Sequence, residues 1–171
     1  MHLLLVGLRG TGKSTLGCRA AHALSLPFVD LDDRTTQQCG MDATTCFAEH
    51  GEETWRTAEV AALEIVLAEP PAVIALGGGT PTAPGAQEII QLAREDGRAR
   101  VLWLDAPDAV LLGRTGSDPA RPALTALSGA AEVAAIRALR DPIFARLADG
   151  RIDTAEGDLD QVLARVIQLL R

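Results

Sequence analysis

Near the start of the chain, Gly7-Leu8-Arg9-Gly10-Thr11-Gly12-Lys13-Ser14-Thr15 has the residue types and spacing of a phosphate-binding loop. The chemistry is local. Glycines at 7, 10 and 12 let the backbone turn with no Cβ in the way, so that successive N–H groups point at an anion. A helix starting at Lys13 adds its positive end. Lys13 offers a mobile charge to the β- and γ-phosphates of a nucleotide, and the Ser14 hydroxyl suits Mg²⁺. Lys13 is also the only lysine among 16 basic residues. A chain that otherwise uses arginine keeps a compact ammonium where a guanidinium would not fit between phosphates. A glycine turn that holds nothing is the plainer alternative, and the strand and helix patterns on either side weigh against it.

Further residues could complete such a site. In Asp30-Leu31-Asp32, period-two alternation would set two carboxylates on one side at a strand's carboxyl end, where open α/β sheets hold ligands. One would serve a metal and the other an acceptor hydroxyl; the alternative is an acidic helix start near Arg34. Arg56 and Glu59 are three apart and meet on a helix surface. Either they form a surface pair worth little, or Glu59 holds Arg56 ready to grip a substrate carboxylate. Trp55 beside them reads as core or pocket wall. Gly77-Gly78-Gly79 follows an apolar run, and a ligand could lie against that bare backbone. The stretch from Arg114 to Leu124, with Arg121, is polar and punctuated by Gly and Pro, as active-site lids often are.

The elements that position these residues are legible from periodicity. Strands are expected at His2–Val6, from Phe28, at Ala72–Leu76, Arg100–Leu104 and Arg151–Asp153. Helices are expected at Lys13–Leu24, over 42–68 with a break near Gly51, and at Pro84–Glu95, Asp108–Gly113, Glu132–Leu147 and Leu159–Leu170. Pro142 should kink or interrupt the helix near Arg140. Strands alternating with helices imply an α/β domain around a parallel sheet. At 171 residues and 47% hydrophobic content the chain reads as one folded domain, 1–171.

Composition excludes several classes. A net charge of −7 disfavours a general nucleic-acid binder. No apolar run approaches the ~18 residues of a membrane span. The first strand begins at once, leaving no room for a leader, so a cytoplasmic protein is expected. Cys18, Cys39 and Cys46 lack metal-like spacing and are expected as free thiols. His2, His22 and His50 form no cluster.

Taken together, the phosphate loop, Asp30-Leu31-Asp32, Glu52 to Glu59, the triple glycine, Arg121-Pro122 and Arg140-Asp141-Pro142-Ile143-Phe144 resemble the shikimate kinases over nearly the whole chain. The resemblance implies a three-layer α/β/α P-loop kinase fold with a five-stranded parallel sheet and a mobile lid over about 114–126. It implies transfer of the γ-phosphoryl of ATP to the 3-hydroxyl of shikimate, with one Mg²⁺, by a monomer that binds neither nucleic acid nor membrane. By resemblance, Lys13, Asp32 and Arg121 would be catalytic. Gly10, Thr11, Gly12, Lys13, Ser14, Thr15, Arg114 and Arg121 would bind ATP. Asp32, Trp55, Arg56, Glu59, Gly77, Gly78, Gly79 and Arg140 would bind shikimate, with Arg56 and Arg140 clamping its carboxylate. Ser14 and Asp30 would serve the metal. Phe144 stands where many members carry tyrosine, and Trp55 where phenylalanine is commoner. The competing readings are another small-molecule kinase of the same build, such as a gluconate kinase, or a nucleotide-binding regulator without catalysis.

Overall fold

A computed structural model of the protein describes residues 1–115 and 127–170. Arg121 and nearly all of the expected lid lie outside the described residues. Five strands form one parallel sheet: β1 (His2–Val6), β2 (Phe28–Asp30), β3 (Val73–Ala75), β4 (Ala99–Asp105) and β5 (Gly150–Asp153), in the order β2-β3-β1-β4-β5. The register is set by Leu3 opposite Val73, His2 opposite Ala99, Phe28 opposite Val73 and Leu102 opposite Gly150. The helices are α1 (Lys13–Leu24), α2 (Leu31–Cys39), α3 (Ala43–His50), α4 (Glu52–Ala68), α5 (Ala86–Glu95), α6 (Asp108–Thr115), α7 (Gly129–Leu147) and α8 (Leu159–Leu169).

Alternation along β1 explains the layers. Leu4 and Val6 enter one core with Ile74, Val101, Trp103 and the inner faces of α4, α5 and α7. Leu3 and Leu5 enter the other with Val73, Leu102, Leu104, α1 and α8. The central strands β3, β1 and β4 are buried on both faces, which is why they read as largely apolar runs. Each such leucine removed from water contributes about 1.5–3 kcal/mol. Phe144 is fully buried in the first core, 6.1 Å from the Trp103 ring, so no hydroxyl is called for at that position. Among the described residues, no helix is long and apolar enough to cross a membrane.

Two expectations are corrected. The second strand ends at Asp30, whose side chain accepts from the Asp32 N–H and caps α2 from Leu31 onward. Asp30 and Asp32 are therefore neighbours at a helix start, not alternate residues of a strand; local capping wins over strand continuation. Pro142 does not interrupt its helix, since α7 continues through it. The triple glycine runs into a 3₁₀ turn at Thr80–Thr82.

Arg137, one turn before Arg140, fixes α7 to the sheet. It donates to Asp105 at 2.9 Å, Asp108 at 2.8 Å, Asp141 at 3.0 Å and the Ala106 carbonyl at 2.8 Å. Asp105, buried at the end of β4, also accepts from Arg151. Burial alone would raise its carboxyl, but the two arginines outweigh this and hold it below the usual carboxylate value. A depressed carboxylate stabilises the fold above its unfolded value and loses that contribution as pH falls through its folded one. We expect Arg137→Met to cost about 3 kcal/mol at pH 7, since it strips one partner from a buried charge. Urea unfolding should show this deficit at pH 7 and a smaller one below the ordinary carboxylate value of 3.8. An unchanged midpoint at pH 7 would contradict it.

Candidate active site

Strand order places the site. From β1 the chain crosses to one side, toward β2, and from β3 it crosses to the other, toward β4. The loops leaving β1 and β3 therefore part at the carboxyl edge, where such sheets form their binding crevice. The β1 loop is the phosphate loop; the β3 loop is the triple glycine. Between them lies a cavity of ≈ 550 Å³.

The phosphate loop is shaped by its glycines. Gly10 and Gly12 have φ of 80° and 85°, in the left-handed region that side chains resist. Buried Thr11 donates to the Leu8 carbonyl at 2.8 Å and steadies the turn. Lys13 donates from Nζ to the carbonyls of Gly7 and Leu8, each at 3.0 Å. Burial pushes its ammonium down to about 8, while Asp32 and Asp30 pull the other way. The Ser14 hydroxyl donates to Asp30 at 2.7 Å, which brings together the two groups expected at a metal. Thr15 lines the same cavity.

On the facing wall, α4 supplies a buried charge pair. Arg56 Nη1 donates to Glu59 Oε2 at 2.5 Å, and Glu52 accepts from Nε at 3.0 Å and Nη2 at 2.7 Å. Glu59 is fully buried and the Arg56 side chain 12% exposed, so this is not a surface pair. Burial lowers the guanidinium, but the two glutamates outweigh that and raise it. Arg56 also stands over the Phe47 ring, 5.6 Å from its centroid. Trp55, 2% exposed, backs the same wall edge-on to Phe47.

Arg140 enters from α7. Burial, and then the charge of Arg56, lower it to about 10. Two arginines from separate helices thus crowd one side of the cavity. Asp32 lines the same cavity beside Glu59. Its carboxyl rises to about 6 through lost hydration first, then Glu59 and Asp30, against Lys13 and Arg56.

The triple glycine is explained by this crowding. A Cβ on Gly77 would fall 2.5 Å from both Asp32 Oδ1 and Glu59 Oε1, one on Gly79 would strike the Arg56 guanidinium, and one on Gly78 would lie 3.3 Å from Arg140. None of the three has positive φ. Glycine is needed here for space, which the site's own side chains occupy.

Arg114 lies at the far end of the phosphate loop. It donates to the Gly10 carbonyl at 3.1 Å and to the Thr154 hydroxyl and carbonyl at 3.0 and 3.1 Å. With Thr11, Thr15, Leu159 and Val162 it borders a second cavity of ≈ 290 Å³. The sequence reading missed Phe47 and Arg9, which line the main cavity. Arg9 sits inside the glycine motif and its charge acts on both Lys13 and Arg140, so its position was the available signal. Phe47 had none.

The shikimate kinase family model matches residues 9–171. The chain belongs to the shikimate kinase family. The shikimate kinase of Rhodopirellula baltica is 40% identical over 171 residues, covering 98% of this chain and 89% of the relative. That of Mycobacterium marinum is 36% identical over 151 residues, covering 88% and 79%. Among solved structures, shikimate kinase from Acinetobacter baumannii in complex with shikimate superposes with a TM-score of 0.89 at 28% identity, covering 99% of this chain and 92% of that one. A gluconokinase from Sinorhizobium meliloti, at 18% identity and a TM-score of 0.59, shares the fold alone. Like the shikimate kinases it resembles, the chain has an all-parallel five-stranded sheet between helical layers, the P-loop kinase fold.

The crowding of carboxylates has a direct readout. In carbon-detected NMR, Asp32 should titrate near pH 6. Glu59→Gln, by removing the leading like charge, should lower that midpoint. A midpoint at the ordinary 3.8 in the parent protein would contradict the packing described.

Proposed function

We propose that this protein transfers the γ-phosphoryl of ATP to the 3-hydroxyl of shikimate, giving shikimate 3-phosphate and ADP. The observation that carries the reading is the convergence of Arg56 and Arg140 on a cavity that Lys13 and Asp32 also line. An acceptor needs a carboxylate to relieve two crowded guanidinium groups, and a hydroxyl for Asp32. Shikimate has both, and family membership supports the choice over gluconate, for which the likeness is one of fold.

In this reading Arg56 and Arg140 hold the acceptor carboxylate, Arg56 being kept in place by Glu59. Gly77, Gly78 and Gly79 leave room for the ring, and Trp55 and Phe47 form its apolar wall. Asp32 orients the 3-hydroxyl and takes its proton; a carboxyl at about 6 is ionised at neutral pH yet basic enough to accept. Gly10, Thr11, Gly12 and Thr15 cradle the phosphates with backbone N–H groups. Lys13 and Arg121 stabilise charge on the moving phosphoryl, which is where catalysis of phosphoryl transfer resides. Arg114 and the smaller cavity take the nucleoside.

Ser14 and Asp30 would hold Mg²⁺, which screens the phosphate oxygens when bound. Among the described residues no group of three or more metal-ligating side chains occurs. Mg²⁺ takes few protein ligands and keeps waters and phosphate oxygens, so a hydroxyl and a carboxylate 2.7 Å apart suit it. One domain, a monomer and a cytoplasmic setting complete the proposal.

Two variants separate the roles. Arg56→Ala should raise the shikimate KM about tenfold or more, the loss of a charge-assisted pair, and leave the ATP KM alone. Lys13→Ala should instead lower kcat by about a hundredfold or more. Steady-state kinetics measure both, and an unchanged shikimate KM in Arg56→Ala would remove the clamp.

A further inference from the structure

Thr80 is as buried as Glu59, both fully removed from solvent. Its hydroxyl donates to Glu59 Oε1 at 2.6 Å, the oxygen that Arg56 does not use. Thr82, two residues on, spends its hydroxyl differently, donating at 2.6 Å to the Gly79 carbonyl of its own turn. The Thr80 hydroxyl therefore reaches across to α4 and does not stabilise the turn that carries it. Thr80 does not line the main cavity, whereas Glu59, Arg56 and Gly77 do. The same Cβ position on Gly77 that would touch Glu59 Oε1 and Asp32 Oδ1 at 2.5 Å lies 2.8 Å from Thr80 Oγ1. One small volume thus gathers a hydroxyl, a buried carboxylate and the proposed acceptor-facing carboxylate.

We propose that Thr80 is a positioning residue of the acceptor site, fixing Glu59 by its hydroxyl and through Glu59 setting the Arg56 guanidinium. This rests on the acceptor reading given above. The argument is one of hydrogen-bond supply. A carboxylate shut off from water needs a donor on each oxygen, and an oxygen left bare forfeits the hydration it gave up. Arg56 serves Oε2 and Thr80 serves Oε1. With both donors in place Glu59 has one orientation, and Arg56, held between Glu59 and the exposed Glu52, has one as well. A guanidinium set in advance loses less freedom when a planar carboxylate arrives.

Removing the hydroxyl has two linked consequences. Glu59 Oε1 loses its donor, so Glu59 is free to reorient. Arg56 then loses its fixed partner. A residue that merely filled space would produce neither. The test compares Thr80→Val, which keeps the shape, Thr80→Ala, which keeps neither shape nor hydroxyl, and Thr80→Ser, which keeps the hydroxyl. Shikimate and ATP kinetics are measured, and exchange of the Arg56 Nε–H with solvent is followed by nitrogen-15 NMR in the absence of substrate.

Thr80→Val should raise the shikimate KM about five- to tenfold with the ATP KM unchanged, and speed exchange of the Arg56 Nε–H with solvent, because the guanidinium is no longer held. Thr80→Ser should restore both. Should Thr80→Val fail to fold, Thr80→Ala against Thr80→Ser gives the same contrast. A parental shikimate KM and a parental Arg56 Nε–H exchange rate in a folded hydroxyl-free variant would overturn the proposal, as would Thr80→Ser behaving like Thr80→Val. If the parent protein does not turn over shikimate, the acceptor reading fails on its own. The Arg56 exchange measurement then still decides whether Thr80 acts through Glu59.

Discussion

The wall formed by α4 and the triple glycine is organised around one buried carboxylate. Glu59 has no access to solvent, and Arg56 and Thr80 each donate a hydrogen bond to one of its oxygens. It fixes the guanidinium of Arg56, adds to the burial that raises the Asp32 carboxyl, and with Arg56 fills the space that a Cβ on Gly77 or Gly79 would need. The wider pattern is a balance. Lys13, Arg56 and Arg140 are interspersed with Asp30, Asp32 and Glu59 around one crevice, and burial penalises the charges of Lys13, Asp32, Arg56 and Arg140. The excess of positive charge beside Arg140 and the excess of negative charge beside Asp32 are both left for ligands to settle. A fold that only needed to be stable would have filled this crevice with apolar side chains at less cost.

The sheet explains how such a cluster can be held. Five parallel strands, the central three buried on both faces, form a rigid platform, and their order places two loops apart at the same edge. The helices that bear the charges are tied down independently of the site. Arg137 binds α7 to the end of β4 one turn before Arg140, so the position of Arg140 is set by contacts that touch no ligand. On α4, Ala62, Leu63, Val66 and Leu67 are buried in the core, and Trp55, Arg56 and Glu59 sit on its amino-terminal half, at the cavity. Stability and chemistry are thus divided along single helices.

Much of this could be read from the sequence, and the misses have physical causes. The phosphate loop was legible because its meaning is local: glycines and a lysine within one strand–loop–helix unit. Arg56 and Glu59 were legible as a pair because three residues is close to one helical turn, although their burial was not, since that depends on what packs over them. Asp30 and Asp32 were found as site residues by an incorrect route. Strand alternation and an early helix start put the same two side chains near each other, and the sequence does not say which backbone carries them. Thr80 was invisible, because its partner lies 21 residues away and a threonine after three glycines reads as part of a turn. Phe47 was missed for the same reason, as its role under Arg56 exists only once α3 and α4 are folded together.

The central claim is that this crevice is built for an acceptor with one carboxylate and a ring hydroxyl. The most direct measurement is ADP release from ATP and Mg²⁺ with shikimate, gluconate or no acceptor. The account predicts that shikimate alone raises the rate, by a thousandfold or more on the order of kinase turnover over background. Equal stimulation by gluconate, or none by shikimate while ATP still binds, would contradict it.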